Sequence, residues 1–407
     1  MSLMTKFVCK HPWAHFEVNN PNGDVTMCCN NDTVLGNVNS GSVADIWNGE
    51  KFIAVRERMK NGGAHAMCPH TCPVLRGGKR YENLEWYKDL KNHGDIRTNA
   101  DLNEKEYSQG VTKLASKPRW FRFTYSYACN LDCYHCYQRE DAKISAKLPA
   151  AFIEQIPEYS RTAQVVFPFG GEPFYFSPVI NFLEHHDAGL ETRFYFITNA
   201  TLLTERVYDI LRRVPISCMA VSVDAANAES FEALRVRGRN AVWEQVINNL
   251  ERLKELQSAK DFHFTLSMTL NSINALEIEQ FVDLALSYNA EPLVTLVANP
   301  FQTYEFQRKY LTFTEEQFEE MQRQLKQSLI KVEERNFEDA SLYLKQLGAL
   351  LIQHQKYDNN RLQFAAKKAA RRMFHVLPEQ MQIPVRTTVQ KLRTSRLNKF
   401  IKISSEM

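Results

Sequence analysis

Between about residues 118 and 300, six short apolar stretches alternate with helical patterns, and this alternation limits the possible folds of the 407-residue chain more than any other feature. The strand candidates are Trp120–Tyr125, Gln164–Phe169, Arg193–Thr198, Ile216–Val223, Phe262–Thr269 and Pro292–Ala298. Helical stretches such as Pro178–His186, Thr204–Val214, Ala241–Leu256 and Leu276–Tyr288 lie between them. Strands separated by crossover helices pair in parallel, with right-handed connections. An eight-stranded barrel typically takes about 250 residues. The shorter length available here predicts a partial six-stranded (β/α) barrel. In such architectures ligands are held at the carboxyl ends of the strands.

Just past the first of these strands, Cys129, Cys133 and Cys136 stand in a C-x3-C-x2-C spacing within the run from Tyr127 to Tyr137. Three thiolates so close together can each hold one iron of a [4Fe–4S] cluster, leaving the fourth iron without a protein ligand. A zinc site usually closes with four ligands, and no fourth cysteine stands nearby in sequence. His135 adjoins Cys136, which makes a tetrahedral closure awkward. The second and fourth strands end in Gly170-Gly171-Glu172-Pro173 and Ser222-Val223-Asp224. Two glycines let backbone carbonyls approach a ligand, and Pro173 starts the next segment. On its own, Gly-Gly-Glu-Pro also reads as an ordinary loop.

The cysteine run resembles the cluster loop of radical S-adenosylmethionine (radical SAM) enzymes, and both strand ends are similar to that family's. The resemblance implies that S-adenosylmethionine chelates the open iron through its amino nitrogen and carboxylate oxygen. One electron then splits the sulfur–C5′ bond, giving methionine and a 5′-deoxyadenosyl radical that takes hydrogen from an unactivated carbon. The cofactor carries that chemistry, and the protein supplies orientation and protection. By the same resemblance, Gly170, Gly171, Glu172 and Pro173 hold the nucleoside's amino group, and Ser222 and Asp224 contact its ribose. Asn199 stands at the third strand end, where the family often has Asn-Gly; here Ala200 replaces the glycine, as Ala225 does after Asp224. Arg235 or Arg237 either pairs with the methionine carboxylate, whose geometry a guanidinium matches, or is a solvated helix charge. Cys218, inside a strand, reads as core packing. An external one-electron donor such as flavodoxin or ferredoxin is also implied.

Residues 9–80 are turn-rich and carry Cys9, Cys28, Cys29, Cys68 and Cys72. The stretch Asn19–Asp24 predicts a hairpin between Trp13–Phe16 and Val25–Met27. A helical pattern opens at Ser42, runs through Phe52, Val55 and Met59, and ends at Gly62-Gly63. Cys9, Gly23, Cys28, the stretch Leu35–Val38, Asp45–Asn48, Cys68 and Cys72 resemble the first part of a SPASM or twitch auxiliary cluster domain, which usually follows the barrel and here precedes it. Four thiolates, Cys9, Cys28, Cys68 and Cys72, can fully ligate one auxiliary [4Fe–4S] cluster, which favours electron transfer over substrate binding. Four cysteines also suffice for structural zinc, and spacing does not separate the two. Cys29 is a spare: it replaces Cys28, stays unligated or contacts substrate.

The expected fold is therefore α/β: a partial (β/α)6 barrel preceded by a small cysteine-rich SPASM/twitch-like domain and followed by a helical carboxyl-terminal region. The expected boundaries are 1–80, a polar bridging segment at 81–117, the radical SAM core at 118–300, and a helical region with a basic tail at 301–407. Thr314–Gln317 has capping-box form. A net charge of +3 gives no whole-chain reason to expect nucleic acid. No secretory h-region opens the chain, and no apolar run approaches the roughly 18 residues that span a bilayer. Clustered cysteines then fit a reducing, cytoplasmic setting. The expected function is oxidative modification of a peptide or protein side chain, with the auxiliary cluster accepting an electron. Alternatives are dehydrogenation or epimerisation of a carbohydrate-like small molecule, and RNA modification or nucleic-acid binding through the basic residues that follow Arg361.

Overall fold

The computed structural model describes residues 9–28, 31–62, 67–68, 72, 88, 94–136, 138, 146–187, 189–235, 243–297, 310–352 and 355. Residues 1–347 form one compact unit and 348–407 a second, and every described strand lies in the first. Cys29, Arg237 and the basic tail from Arg361 onward fall outside the described residues.

Nine strands form one sheet: β1 (His15–Val18), β2 (Asp24–Cys28), β3 (Asn31–Asn37), β4 (Trp120–Thr124), β5 (Val165–Phe169), β6 (Arg193–Thr198), β7 (Ile216–Ser222), β8 (His263–Leu270) and β9 (Glu291–Leu296). Their order is β3-β2-β1-β4-β5-β6-β7-β8-β9. From β4 to β9 every pair is parallel and sequence order equals spatial order, which makes this part the partial (β/α)6 barrel. The six predicted core strands are present, each within about two residues of its expected bounds.

Alternation on β6 shows how the sheet divides its faces. Phe194, Phe196 and Thr198 are buried, while Arg193, Tyr195 and Ile197 are half-buried. On β4, Phe121 and Phe123 pack against Phe152, and Phe121 also stacks on Tyr159. Trp120 points the other way and packs with Ala14, Val165 and Phe167, against which Phe169, Tyr195 and Ile197 rest. Burying each such phenylalanine is worth about 1.5–3 kcal/mol.

The predicted hairpin is β1–β2, antiparallel through Glu17↔Thr26 and Val18↔Val25. Its turn is built by the Asn20 side chain, which accepts from the Asn22 and Asp24 amides, and by Gly23 at φ +89. The other edge of β1 pairs in parallel with β4, from His15↔Trp120 to Val18↔Phe123, so the amino-terminal strands extend the core sheet.

Two local expectations change. The single helix expected from Ser42 to Met59 is two helices, Val43–Trp47 and Glu50–Lys60. The break at Asn48-Gly49 frees the Asn48 amide to bond Leu114 in both directions, each at 2.8 Å. The polar bridging segment contains a helix, Asp95–Gln109, closed by Gly110 at φ +65. Its buried face mixes Ile96 and Ala100 with Asn99, Asn103 and Glu106. Asn103 donates to Trp13 O at 2.7 Å, Asn99 to Lys117 O at 3.1 Å, and Glu106 accepts from Ala115 N at 2.6 Å. The capping box at Thr314 and Gln317 forms as expected, opening helix Glu315–Glu334. Among the described residues no helix is long and apolar enough to cross a membrane.

Candidate functional site

The cysteine loop leaves the carboxyl end of β4, with Cys129, Cys133 and Cys136 half-buried. The end of β5 holds its backbone: Gly171 N donates to Ser126 O at 3.0 Å, and Glu172 N to Ala128 O at 3.3 Å. Gly170 has φ +147, and a Cβ there would overlap the Ser126 carbonyl; one on Gly171 would overlap that of Ala128. Both glycines thus let β5 press directly against the cysteine loop.

Glu172 is fully buried between β5 and β6. It accepts from Thr198 Oγ1 at 2.8 Å, Asn199 N at 2.8 Å and Phe174 N at 3.3 Å. Burial pushes its carboxyl up to about 7, against the partly compensating bonds from Asn199 and Thr198. Asn199 in turn reaches the loop, with Nδ2 lying 3.0 Å from Asn130 Oδ1 and 3.6 Å from Cys129 Sγ. Ala200 has φ +59, so the position where the resemblance expects glycine does take a left-handed conformation.

Asp224 sits past β7 at φ +61 and ties three elements together. Its Oδ2 accepts from Arg235 NH1 at 2.9 Å and lies 3.2 Å from His135 Nε2, and its Oδ1 accepts from Thr269 N at 2.7 Å. Burial opposes its charge, yet Arg235 and His135 hold the carboxyl well below the usual carboxylate range. Burial likewise opposes the charge on Arg235, which Cys133 and Asp224 nevertheless keep firmly protonated. The same guanidinium donates to the Ser222 carbonyl, and Ser222 Oγ accepts from Ser267 Oγ at 3.3 Å. Pro173 is buried in the turn that follows Glu172.

Loop, strand ends and Arg235 therefore converge. Burial pushes the thiols of Cys129 to about 12 and Cys133 to about 11, so thiolates need a compensating cation here. Among the described residues, His135 Nδ1 and Arg235 Nε are buried without a hydrogen-bond partner beside those thiols. Three thiols, one guanidinium and two unpartnered ring or guanidinium nitrogens fit an open [4Fe–4S] cluster with a carboxylate-bearing ligand. Sequence reasoning missed the His135–Asp224 contact, although His135 was visible inside the motif. Arg235, left open between two roles, proves to be buried and paired with Asp224.

Cys9, Cys28 and the segment bearing Cys68 lie toward the opposite end of the sheet. Cys9 Sγ lies 3.2 Å from His11 Nδ1. Continuing the β1–β2 register brings Cys28 opposite His15. Asn31, paired with Cys28, donates to Met67 O at 2.8 Å, which draws the segment bearing Cys68 to the same place. Cys72 is buried. Because β1 runs parallel to β4, this end is the amino end of the barrel strands. The five residues of β4 span roughly 13 Å between the two ends. His11 stacks on His15 at 3.8 Å, and His15 on Trp120 at 5.4 Å. His11, His15 and Glu17 bring possible ligand atoms within 4.8 Å of one another. Stacked rings set their in-plane lone pairs side by side, however, so one ion cannot take both, and Glu17 is already engaged by Arg122 NH1 at 3.2 Å. The thiols of Cys9 and Cys28 and the segment bearing Cys68 thus lie toward the same end as this histidine pair.

Residues 123–285 match the radical SAM superfamily, and residues 9–73 match SPASM, an iron–sulfur cluster-binding domain. A SPASM segment therefore precedes a radical SAM domain in this chain. The two matches imply S-adenosylmethionine, its [4Fe–4S] cluster and auxiliary iron–sulfur binding. The chain is 28% identical over 183 residues to an AdoMet-dependent heme synthase of Methanosarcina barkeri, covering 44% of this chain and 50% of that protein. It is 26% identical over 175 residues to the mycofactocin maturase MftC of Mycolicibacterium smegmatis, covering 42% of each. Each match thus takes in half or less of the relative's length. Among solved structures, Streptococcus suis SuiB bound to precursor peptide SuiA has a TM-score of 0.41 at 15% identity, over 71% of this chain and 62% of that one.

Proposed function

We propose that this protein cleaves S-adenosylmethionine reductively and uses the resulting radical for an oxidative modification of a peptide or protein side chain. Two cysteine sets support this reading: Cys129, Cys133 and Cys136 beside Arg235, and Cys9, Cys28, Cys68 and Cys72 within the segment that matches SPASM. When bound, the open cluster supplies the electron that breaks the sulfur–C5′ bond. Cys129, Cys133 and Cys136 would hold it. Arg235, kept cationic beside them, offers its unpartnered Nε to the carboxylate of the bound nucleoside. Asp224 fixes Arg235 and His135, and the tight Gly170–Gly171 contact keeps the loop on the sheet. Cys9, Cys28, Cys68 and Cys72 would hold an auxiliary cluster placed to accept the substrate's second electron.

Support for a peptide substrate comes from a relative named as a mycofactocin maturase and another named as a bacteriocin biosynthesis protein. The match to a heme synthase favours a second reading, in which the substrate is a small molecule. A cytoplasmic setting and an external donor such as flavodoxin or ferredoxin belong to the same proposal. The test is anaerobic incubation of reconstituted protein with S-adenosylmethionine, dithionite and the peptides encoded beside its gene, read by mass spectrometry. Formation of 5′-deoxyadenosine with a peptide mass loss supports the reading. Protein that binds zinc alone and forms no 5′-deoxyadenosine refutes it.

A further inference from the structure

We infer that Asn199 is a positioning residue that sets the reduction potential of the cluster on the Cys129 loop, an inference that rests on the cluster assignment above. Resemblance placed Asn199 among the nucleoside contacts. Its geometry instead aims it at sulfur.

Two N–H groups converge on Cys129 Sγ: Asn199 Nδ2 at 3.6 Å and Leu131 N at 3.4 Å. The amide's orientation is determined by its surroundings. Asn199 Oδ1 accepts from Thr201 N at 2.9 Å and Thr201 Oγ1 at 2.5 Å, so a flipped amide would lose both bonds. Nδ2 also donates to Asn130 Oδ1 at 3.0 Å, and Asn130 Nδ2 donates to Thr201 Oγ1 at 2.7 Å, closing a ring of three side chains around the sulfur. The backbone is pinned as well, because Asn199 N donates to the buried Glu172 carboxylate at 2.8 Å. Asn199 is only 4% exposed, so water cannot replace its dipole.

A thiolate bound to iron keeps lone pairs that accept hydrogen bonds. Adding an electron to the cluster increases charge on its sulfurs, so a fixed N–H aimed at one of them stabilises the reduced state more than the oxidised one. Hydrogen bonding to sulfur is among the factors that set iron–sulfur potentials, and outer-shell partners tune metal sites generally. Asn199 therefore makes the cluster easier to reduce.

The experiment is a dithionite titration of reconstituted full-length protein without S-adenosylmethionine, followed by electron paramagnetic resonance. The loop cluster is identified as the signal missing from a Cys133→Ala protein. Asn199→Ala should shift its midpoint to a lower potential. Asn199→Asp, equal in shape but facing the sulfur with a carboxylate, should shift it further. Thr201→Val, which removes one hold on the amide, should give a smaller shift in the same direction and serves as the readout if Asn199→Ala fails to take up iron. Unchanged midpoints in all three overturn the inference. So does a loss of S-adenosylmethionine binding with the midpoint unmoved, which would make Asn199 a nucleoside contact. Wild-type protein that assembles no cluster on the loop would instead overturn the assignment of the loop itself.

Discussion

The two ends of the sheet hold cysteines by different physics. At the carboxyl end, charges and amides grip the loop: Asp224 binds Arg235 and His135, and Asn199 reaches Cys129. At the amino end, stacked rings stand beside the polar contacts, with His11 on His15 and His15 on Trp120. Nearby, the buried Arg56 lies 4.4 Å from the Trp47 ring and 5.1 Å from that of Phe52. Burial lowers the Arg56 guanidinium to about 9, and it donates to the carbonyls of Pro12 and Thr112. Oriented charges can orient a charged ligand and answer a change in oxidation state. Packed rings exclude water and fix distance. On the function proposed above, the charged end would break the bond and the other would take up the electron.

The sharpest way to break the contrast is to disable each end separately. Cys133→Ala should abolish 5′-deoxyadenosine formation while keeping the amino-terminal iron. Cys28→Ala should lose that iron and retain cleavage of S-adenosylmethionine in the absence of substrate. Chromatography of the nucleoside with anaerobic iron analysis decides it, and loss of cleavage in both variants would end the division of labour.

Next in size is the buried charge pair. Arg235→Met should cost about 3–5 kcal/mol in chemical denaturation, because Asp224 is left charged and buried. Adding Asp224→Asn should recover much of that loss, and a double-mutant cycle measures the coupling. Gly171→Ala should cost about 1–3 kcal/mol by pushing the loop off β5, and it should lower iron on the loop more than at the amino end.

The smallest effect separates the two ends by pH. Burial lifts Glu172 from 4.5 to about 7, so its contribution to stability is complete below 4.5 and is lost as pH rises through 7. Glu17 shifts the other way: burial is outweighed by the His15 bond and the Arg122 charge. Its contribution is present above the usual carboxylate range and is lost as acid titrates it. Thermal midpoints against pH should therefore flatten on the neutral side for Glu172→Gln and on the acid side for Glu17→Gln.

Elements governed by local pattern were legible in the sequence. The core strands show apolar stretches, and the Thr314 capping box satisfies helix amides with neighbours three residues away. The cysteine loop was legible because ligand spacing is itself local. Helix Asp95–Gln109 was not, since Asn99, Asn103 and Glu106 interrupt the buried face and leave only Ile96 and Ala100 as its apolar members. The β1–β4 pairing was hidden because His15-Phe16-Glu17-Val18 alternates polar and apolar like a half-exposed strand, whereas all four residues are buried. In the site, residue identities were readable but their partners were not. Glu172, Asn199 and Cys129 meet only once β5 and β6 lie side by side.

Glu17 meets Arg122 across 105 residues of chain. All five amino-terminal cysteines therefore emerge from the ribosome well before the strand on which their platform leans. Contacts between such distant segments form late and slowly. The sheet edge beneath that end is thus complete only once the middle of the polypeptide is made, and the cysteine loop follows only a few residues behind. Both cysteine-bearing regions accordingly depend on one strand, β4, for their footing.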